Sequence, residues 1–289
     1  MAGVVIRLRE NLRALFYAPF YLAHELDLFA RVGVEVGIEE SDDPLDTAAQ
    51  LLAGEVDVCW GGPLRVLRIL DEDPGAGLVC FGEVVGRDPF FVVARDDELA
   101  NLRLGVVSEV VTPWICLAQD LVDRGVDPAE IDIVAGQTMA ENLAAFEAGE
   151  LGGFQSFQPY AERAVRTGDH VVLAAADRGP TAYTCLYSTR ERVDQCGREL
   201  TGVAEALRWS VAQIYAQPGR ASFDAIAPRW FPDLDPELAG AALDRYRMLE
   251  LYNRTGVLSR EGFDRLQRAM LSAGFVHSHT PYDDCVIVL

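Results

Sequence analysis

The turn Trp60-Gly61-Gly62-Pro63-Leu64-Arg65 is where residue types and spacing best suit chemistry. Two glycines and a proline lead into a helix start, whose first backbone N–H groups lack helical partners and carry the positive end of the dipole. An arginine in that first turn is opposed by the dipole at a cost of about 0.3–1 kcal/mol, which a negative group beside it offsets. That group is either a surface acid or a ligand carboxylate, sulfonate or phosphate gripped bidentately by Arg65. Thr112-Pro113 and Gln158-Pro159 repeat the strand-to-helix turn with proline at or near the first helical position. Each reads as simple helix capping, and the three together read as an anion-friendly cleft.

Polar groups stand at the same turns. Ser108, Glu109 and Thr112 follow one expected strand, and Gln155 and Gln158 belong to another. They either orient a ligand or cap helices. The loop Asn11 to Tyr21 holds Phe16, Tyr17, Phe20 and Tyr21, and of the aromatics Tyr17 and Trp60 are expected to face a ligand while the rest serve the core. The expected ligand set is therefore Asn11, Tyr17, Trp60, Gly61, Gly62, Arg65, Ser108, Glu109, Thr112, Gln155 and Gln158. If the site is catalytic, Glu109 is the candidate acid or base, a role that asks for a pKa raised by burial.

Several chemistries are excluded or unsupported. All 25 basic residues are arginines, so no lysine Schiff base can form. No G-x-S-x-G, Walker A or G-x-G-x-x-G pattern occurs. His277 and His279 flank Ser278 without a third patterned ligand, so no metal site is expected. His24 and His170 have no obvious nucleophile to serve, and no cofactor is expected. A net charge of -20 disfavours nucleic acid and anionic membranes as partners. The 6 cysteines lack a C-x-x-C pair and read as reduced, structural thiols.

The elements that must position these groups alternate. Val4 to Leu8, Val34 to Glu39, Val56 to Trp60 and Gly77 to Val85 read as strands, with helices between them. Pro19 to Ala30 is one helix; Asp43-Pro44 starts another, in which Leu45, Ala48 and Leu52 keep helical spacing and Gly54 ends the run. A second set follows, with strands Leu104–Val107, Ile131–Val134, Gly153–Ser156 and Val171–Ala175. Its helices run from Thr112 to about Arg124, from Thr138 to Ala148 and from Pro159 to about Thr167. Thr138 and Glu141 have the spacing of a capping box. An apolar run at Ala182–Ser188 precedes helices near Leu200–Ala216, Pro236–Tyr246 and Ser259–Ala273. This pattern predicts an α/β protein with mainly parallel sheets. The start at Met1 lacks the pattern of an export signal and no apolar run is long enough for a membrane span, so the expected location is cytoplasmic, or periplasmic or extracellular if the sequence is a mature form.

Tyr17-Ala18-Pro19-Phe20-Tyr21-Leu22-Ala23, then Leu28 to Val36 and the Leu-Ala-Gly-Glu-Val-Asp-Val core of Ala49–Trp60, resemble the SsuA-like and thiamine-pyrimidine-synthase-like proteins. The resemblance runs to about Tyr160. It implies a two-lobed type II periplasmic-binding-protein fold, each lobe a mainly parallel sheet flanked by helices, with the ligand cleft between them. The expected lobes are residues 1–93 with 185–289, and 94–184. Synthases of that family use a lysine-bound cofactor and a cysteine-rich iron motif, and this chain has neither.

The function expected from this is capture of a small organic anion, carboxylate, sulfonate or pyrimidine-like, by a substrate-binding-protein homologue. The alternative is a cytosolic lyase or decarboxylase acting on a small carboxylic acid; a ligand-sensing role has no distinctive feature. Expected partners are the anion itself and, if the protein is exported, ABC transporter components. A monomer or weak dimer is expected.

Overall fold

The computed structural model describes residues 5–41, 46–95 and 102–289. Among these, β1 (Val5–Glu10), β2 (Glu35–Glu40), β3 (Val58–Gly61) and β4 (Leu78–Val85) are followed by β5 (Phe91–Ala94), β6 (Arg103–Val107) and β7 (Asp132–Gln137). The last three are β8 (Gly153–Ser156), β9 (His170–Ala174) and β10 (Thr184–Thr189). They form two five-stranded sheets, ordered β2-β1-β3-β10-β4 and β7-β6-β8-β5-β9. β1 runs parallel to β2 and β3, and β6 runs parallel to β7 and β8. In each sheet one strand, β10 or β5, lies antiparallel between its neighbours. The two sheets thus carry the same order, and each receives its antiparallel strand from a crossing between lobes.

The two-lobed α/β fold expected from the sequence is present. β5 joins the second sheet already at Phe91, and β10 enters the first at Thr184. β5 was not among the expected strands: its four residues are buried on both faces and show no alternation to reveal them. The expected helix Pro19–Ala30 is two, Ala18–Glu25 and Leu28–Arg31, broken at Asp27 with φ 53°. Gly3, Val4 and Asp43-Pro44-Leu45 lie outside the described residues.

Local chemistry explains the helix ends. Thr138 and Glu141 close the expected capping box, with the Glu141 N–H donating to Thr138 Oγ1 at 3.2 Å and the Thr138 N–H donating to Glu141 Oε2 at 2.8 Å. The long helix Arg190–Ala216 is capped by Thr189 and packs on the first sheet. The unexpected helix Gly219–Trp230 packs on the helix Pro236–Met248 so closely that a Cβ on Gly219 would sit 2.3 Å from the Gly240 carbonyl oxygen. Only backbone fits at that contact.

Two crossings join the lobes, and the Thr181 N–H donates to the Gly86 carbonyl between them at 2.9 Å. Arg178 locks this region. Its Nη1 donates to buried Asp88 at 2.7 Å and its Nε donates to Asp120 of the helix Thr112–Asp123 at 2.9 Å. Burial pushes the Asp88 carboxyl above its ordinary range, although Arg178 beside it acts to lower it. Removing the arginine would strand two acids, which is why buried pairs are expensive to break.

Candidate functional site between the lobes

Ligands of open parallel sheets bind beyond the carboxyl ends of the strands. Here four such ends meet: Asn11 follows β1, Gly62 follows β3, Val110 follows β6 after a short turn, and Phe157 follows β8. Together with Tyr17, Arg65, Thr112 and others they enclose a cavity of about 10 Å³ between the lobes, roughly the room one water needs.

The first lobe supplies most of the polar wall. Asn11 is buried, its Oδ1 accepts the Leu12 N–H at 2.9 Å, and its Nδ2 would lie 3.2 Å from a Cβ built on Gly61. Arg65, 7% exposed in the first turn of the helix Leu64–Glu72, lays Nη1 3.4 Å and 3.5 Å from where Cβ atoms on Gly61 and Gly62 would be. A Cβ at either glycine would therefore meet the guanidinium at van der Waals contact. Tyr17 is buried beside Arg65, Thr184 and Asn11, and burial pushes its hydroxyl up to about 12. At neutral pH it is a proton-bearing donor. Glu10, just before Asn11, is turned away, accepting hydrogen bonds from the Tyr21 hydroxyl and from Arg13.

The second lobe and the return crossing supply a mostly apolar wall. Phe16 of the first lobe meets Phe157 edge-on at 5.2 Å and Tyr183 at 6.0 Å, and Phe90 touches both of the latter at 5.3 and 6.2 Å. Leu12 and Val110 complete it, and Thr112 adds one hydroxyl, 3.8 Å from a Cβ built on Gly62. Among the described lining residues there is no carboxylate, imidazole or thiol.

Of the residues expected from the sequence, Asn11, Tyr17, Gly62, Arg65 and Thr112 line this cavity, with Gly61 behind Arg65 and Asn11. The others do not. Trp60 is fully buried and stacks on Phe20 at 4.2 Å, because β3 points it into the core. Ser108 is exposed and donates to the Gln137 carbonyl at 2.7 Å. Glu109, the candidate acid or base, is exposed and accepts the Met139 N–H at 2.8 Å, where a helix begins. Gln155 donates to the Pro113 carbonyl at 2.8 Å, and Gln158 accepts the Glu162 N–H at 2.8 Å, so both brace the second lobe from within. His277 and His279 sit on an exposed segment tied through backbone N–H groups to Asp71. Phe157, Tyr183, Phe16, Leu12 and Val110 also line the cavity, although none of them is among the residues expected to contact a ligand. Phe157 had a signal, since it stands just beyond a strand end as Gly62 does.

The family model described as NMT1/THI5 like matches residues 16–221, well over half of the chain. The chain belongs to the NMT1/THI5-like family. Among solved structures, the periplasmic aliphatic sulphonate-binding protein SsuA from Escherichia coli aligns at TM-score 0.76 and 16% identity, covering 98% of this chain and 97% of that one. The alkanesulfonate-binding protein SsuA from Xanthomonas axonopodis pv. citri, bound to MOPS, gives 0.74 and 16%, with 100% of both chains covered. The periplasmic nitrate-binding protein NrtA from Synechocystis PCC 6803 gives 0.68 and 13%, over 99% of this chain and 86% of that one. YtlA of Bacillus subtilis (strain 168), whose provisional name describes a binding protein, is 22% identical over 300 residues, 97% of this chain and 87% of YtlA. These relatives establish the binding-protein fold. They also overturn the expected cytoplasmic location, since SsuA of Escherichia coli and NrtA are named as periplasmic proteins. Among the described residues no helix is long and apolar enough to cross a membrane.

Proposed function

We propose that this member of the NMT1/THI5-like family is the ligand-capturing component of an ABC-type import system, and that its ligand is a small organic anion, a carboxylate or sulfonate. The observation that supports this reading is the convergence of Arg65, Tyr17 and Thr112 on one interlobe cavity at the carboxyl ends of the parallel strands. The names of SsuA and NrtA point the same way, both being binding proteins for anions. In this reading the Arg65 guanidinium faces the negative head, the neutral Tyr17 hydroxyl and Thr112 donate to it, and Phe16, Phe157 and Tyr183 cover an apolar remainder. A cavity of about 10 Å³ admits no organic ligand as it stands, so entry requires the lobes to part at the two crossings.

A lyase that moves protons is supported less well. The lining residues offer no general base ionised near neutrality, and Glu109 is held elsewhere.

The test is calorimetric titration and thermal shift with methanesulfonate, benzoate, nitrate and a pyrimidine, followed by mass spectrometry of each bound compound. Capture of a carboxylate or sulfonate, recovered unchanged and raising the melting temperature with its concentration, is the expected result. Failure of every anion to bind while the pyrimidine does would overturn the anionic reading. Consumption of the bound compound would make the protein an enzyme.

A further inference from the structure

Three thiols meet in the first lobe, and none of them lines the cavity. Cys80 lies in β4, Cys185 in β10, and Cys285 closes the short helical turn Tyr282–Cys285. All three are 0% exposed. The Cys285 Sγ stands 3.9 Å from the Cys80 Sγ, and Cys185 lies against Cys80 from the neighbouring strand. Val286 is the bridge partner of Cys80, and the Ile287 N–H donates to the Cys80 carbonyl at 3.0 Å, so the C-terminal segment is laid on β4 with Cys285 one residue from facing Cys80.

We propose that Cys80 and Cys285 are an oxidisable pair that forms a disulfide stapling the C-terminal segment to β4. In the reaction a disulfide oxidant, such as oxidised glutathione, accepts two electrons. Its own S–S bond breaks, the Cys80–Cys285 S–S bond forms, and the two thiol protons end on the two released thiols.

Geometry chooses the partner. A disulfide needs its sulfurs about 2.0 Å apart. Cys185 sits in β10 where its ladder with β4 shifts register between Thr184 and Leu186, and it is held on its other side by pairing with Gly61 of β3. Cys285 sits on a four-residue turn at the edge of the lobe, and this turn can shift by the required amount without breaking a sheet. Both thiols are pushed up in pKa, Cys285 by its hydrogen bond to Cys80 and by burial, and Cys80 by Cys185 and by burial. They therefore react slowly while covered, and the bond forms while the C-terminal segment docks. The loop so closed contains the whole second lobe and both crossings. It leaves the cavity untouched, so this inference stands or falls apart from the ligand reading.

The experiment is to refold the full chain from denaturant in a glutathione redox buffer, alkylate it, and map it with trypsin without reduction. The three cysteines separate onto peptides 69–87, 179–190 and 269–289. The expected result is a 69–87 to 269–289 cross-link lacking two hydrogens, with a melting temperature that falls when the bond is reduced. The cross-link should persist in Cys185→Ser and vanish in Cys285→Ser. Should Cys285→Ser fail to fold, the wild-type and Cys185→Ser maps decide alone. Full alkylation of all six thiols, or a cross-link that joins peptide 179–190, would overturn the proposal.

Discussion

The two lobes share one strand order and one way of presenting residues, yet they bring opposite chemistry to the cavity. After β1 and β3 the first lobe presents Asn11, Tyr17, Gly62 and Arg65, with Leu12 and Phe16 joining the apolar side; after β6 and β8 the second presents Val110, Thr112 and Phe157. A fold repeated twice has thus been divided into a wall that holds charge and a wall that excludes water. The division makes physical sense, because an ionic contact gains strength when the surface closing over it is dry.

That contrast can be broken most directly at Arg65. Arg65→Ala should weaken binding of an organic anion by roughly 2–5 kcal/mol, as truncation of one partner of a buried charged pair does. Calorimetry on a variant with an unchanged circular dichroism spectrum checks it, and full affinity in that variant would remove Arg65 from the charged wall. Tyr17→Phe deletes one neutral donor to a charged acceptor and should cost about 1.5–3 kcal/mol of binding. Thr112→Val deletes the second lobe's one donor to the same charged head, within the same range of about 1.5–3 kcal/mol and at its lower end if that lobe serves chiefly to exclude water. A larger loss at Thr112 than at Tyr17 would reverse the assignment of the two walls.

A fourth prediction lies outside the cavity and should leave affinity alone. Glu83 of β4 is buried, and burial raises its carboxyl to about 8 against an ordinary 4.5, with Asn253 acting in the opposite sense. A raised acid binds more protons folded than unfolded between those values, so its contribution makes stability fall as pH rises from about 4.5 to about 8. Glu83→Gln should flatten that fall. Melting curves across this range measure it, and an identical slope in the variant would place the pH dependence elsewhere.

Much of the first wall was legible in the sequence because its signals are local. The glycine pair, the proline at the helix start and an arginine in an unfavourable place all lie within a few residues of one another. The alternation of strands with capped helices was local too, and Thr138 with Glu141 needed nothing beyond spacing. Glu109 shows where local reasoning stops. A polar residue after a strand either faces a cleft or caps a helix, and the choice depends on Met139, a residue distant in sequence whose N–H it accepts. Trp60 fails for the same reason in reverse, because alternation along β3 turned it onto Phe20 and into the core.

The sequence by itself determined most of the order of elements, short of β5 and the helix Gly219–Trp230, along with the pairing of two α/β lobes, the absence of lysine chemistry and the arginine at a helix start. These are written in composition, periodicity and neighbouring residues. Only the tertiary structure decided that Phe16, Phe157 and Tyr183 form one wall, that Arg178 bridges Asp88 and Asp120 across the crossings, and that Cys80 meets Cys285. Each of these joins residues far apart in the chain, which are brought together by strand order and lobe packing rather than by any local preference of the chain.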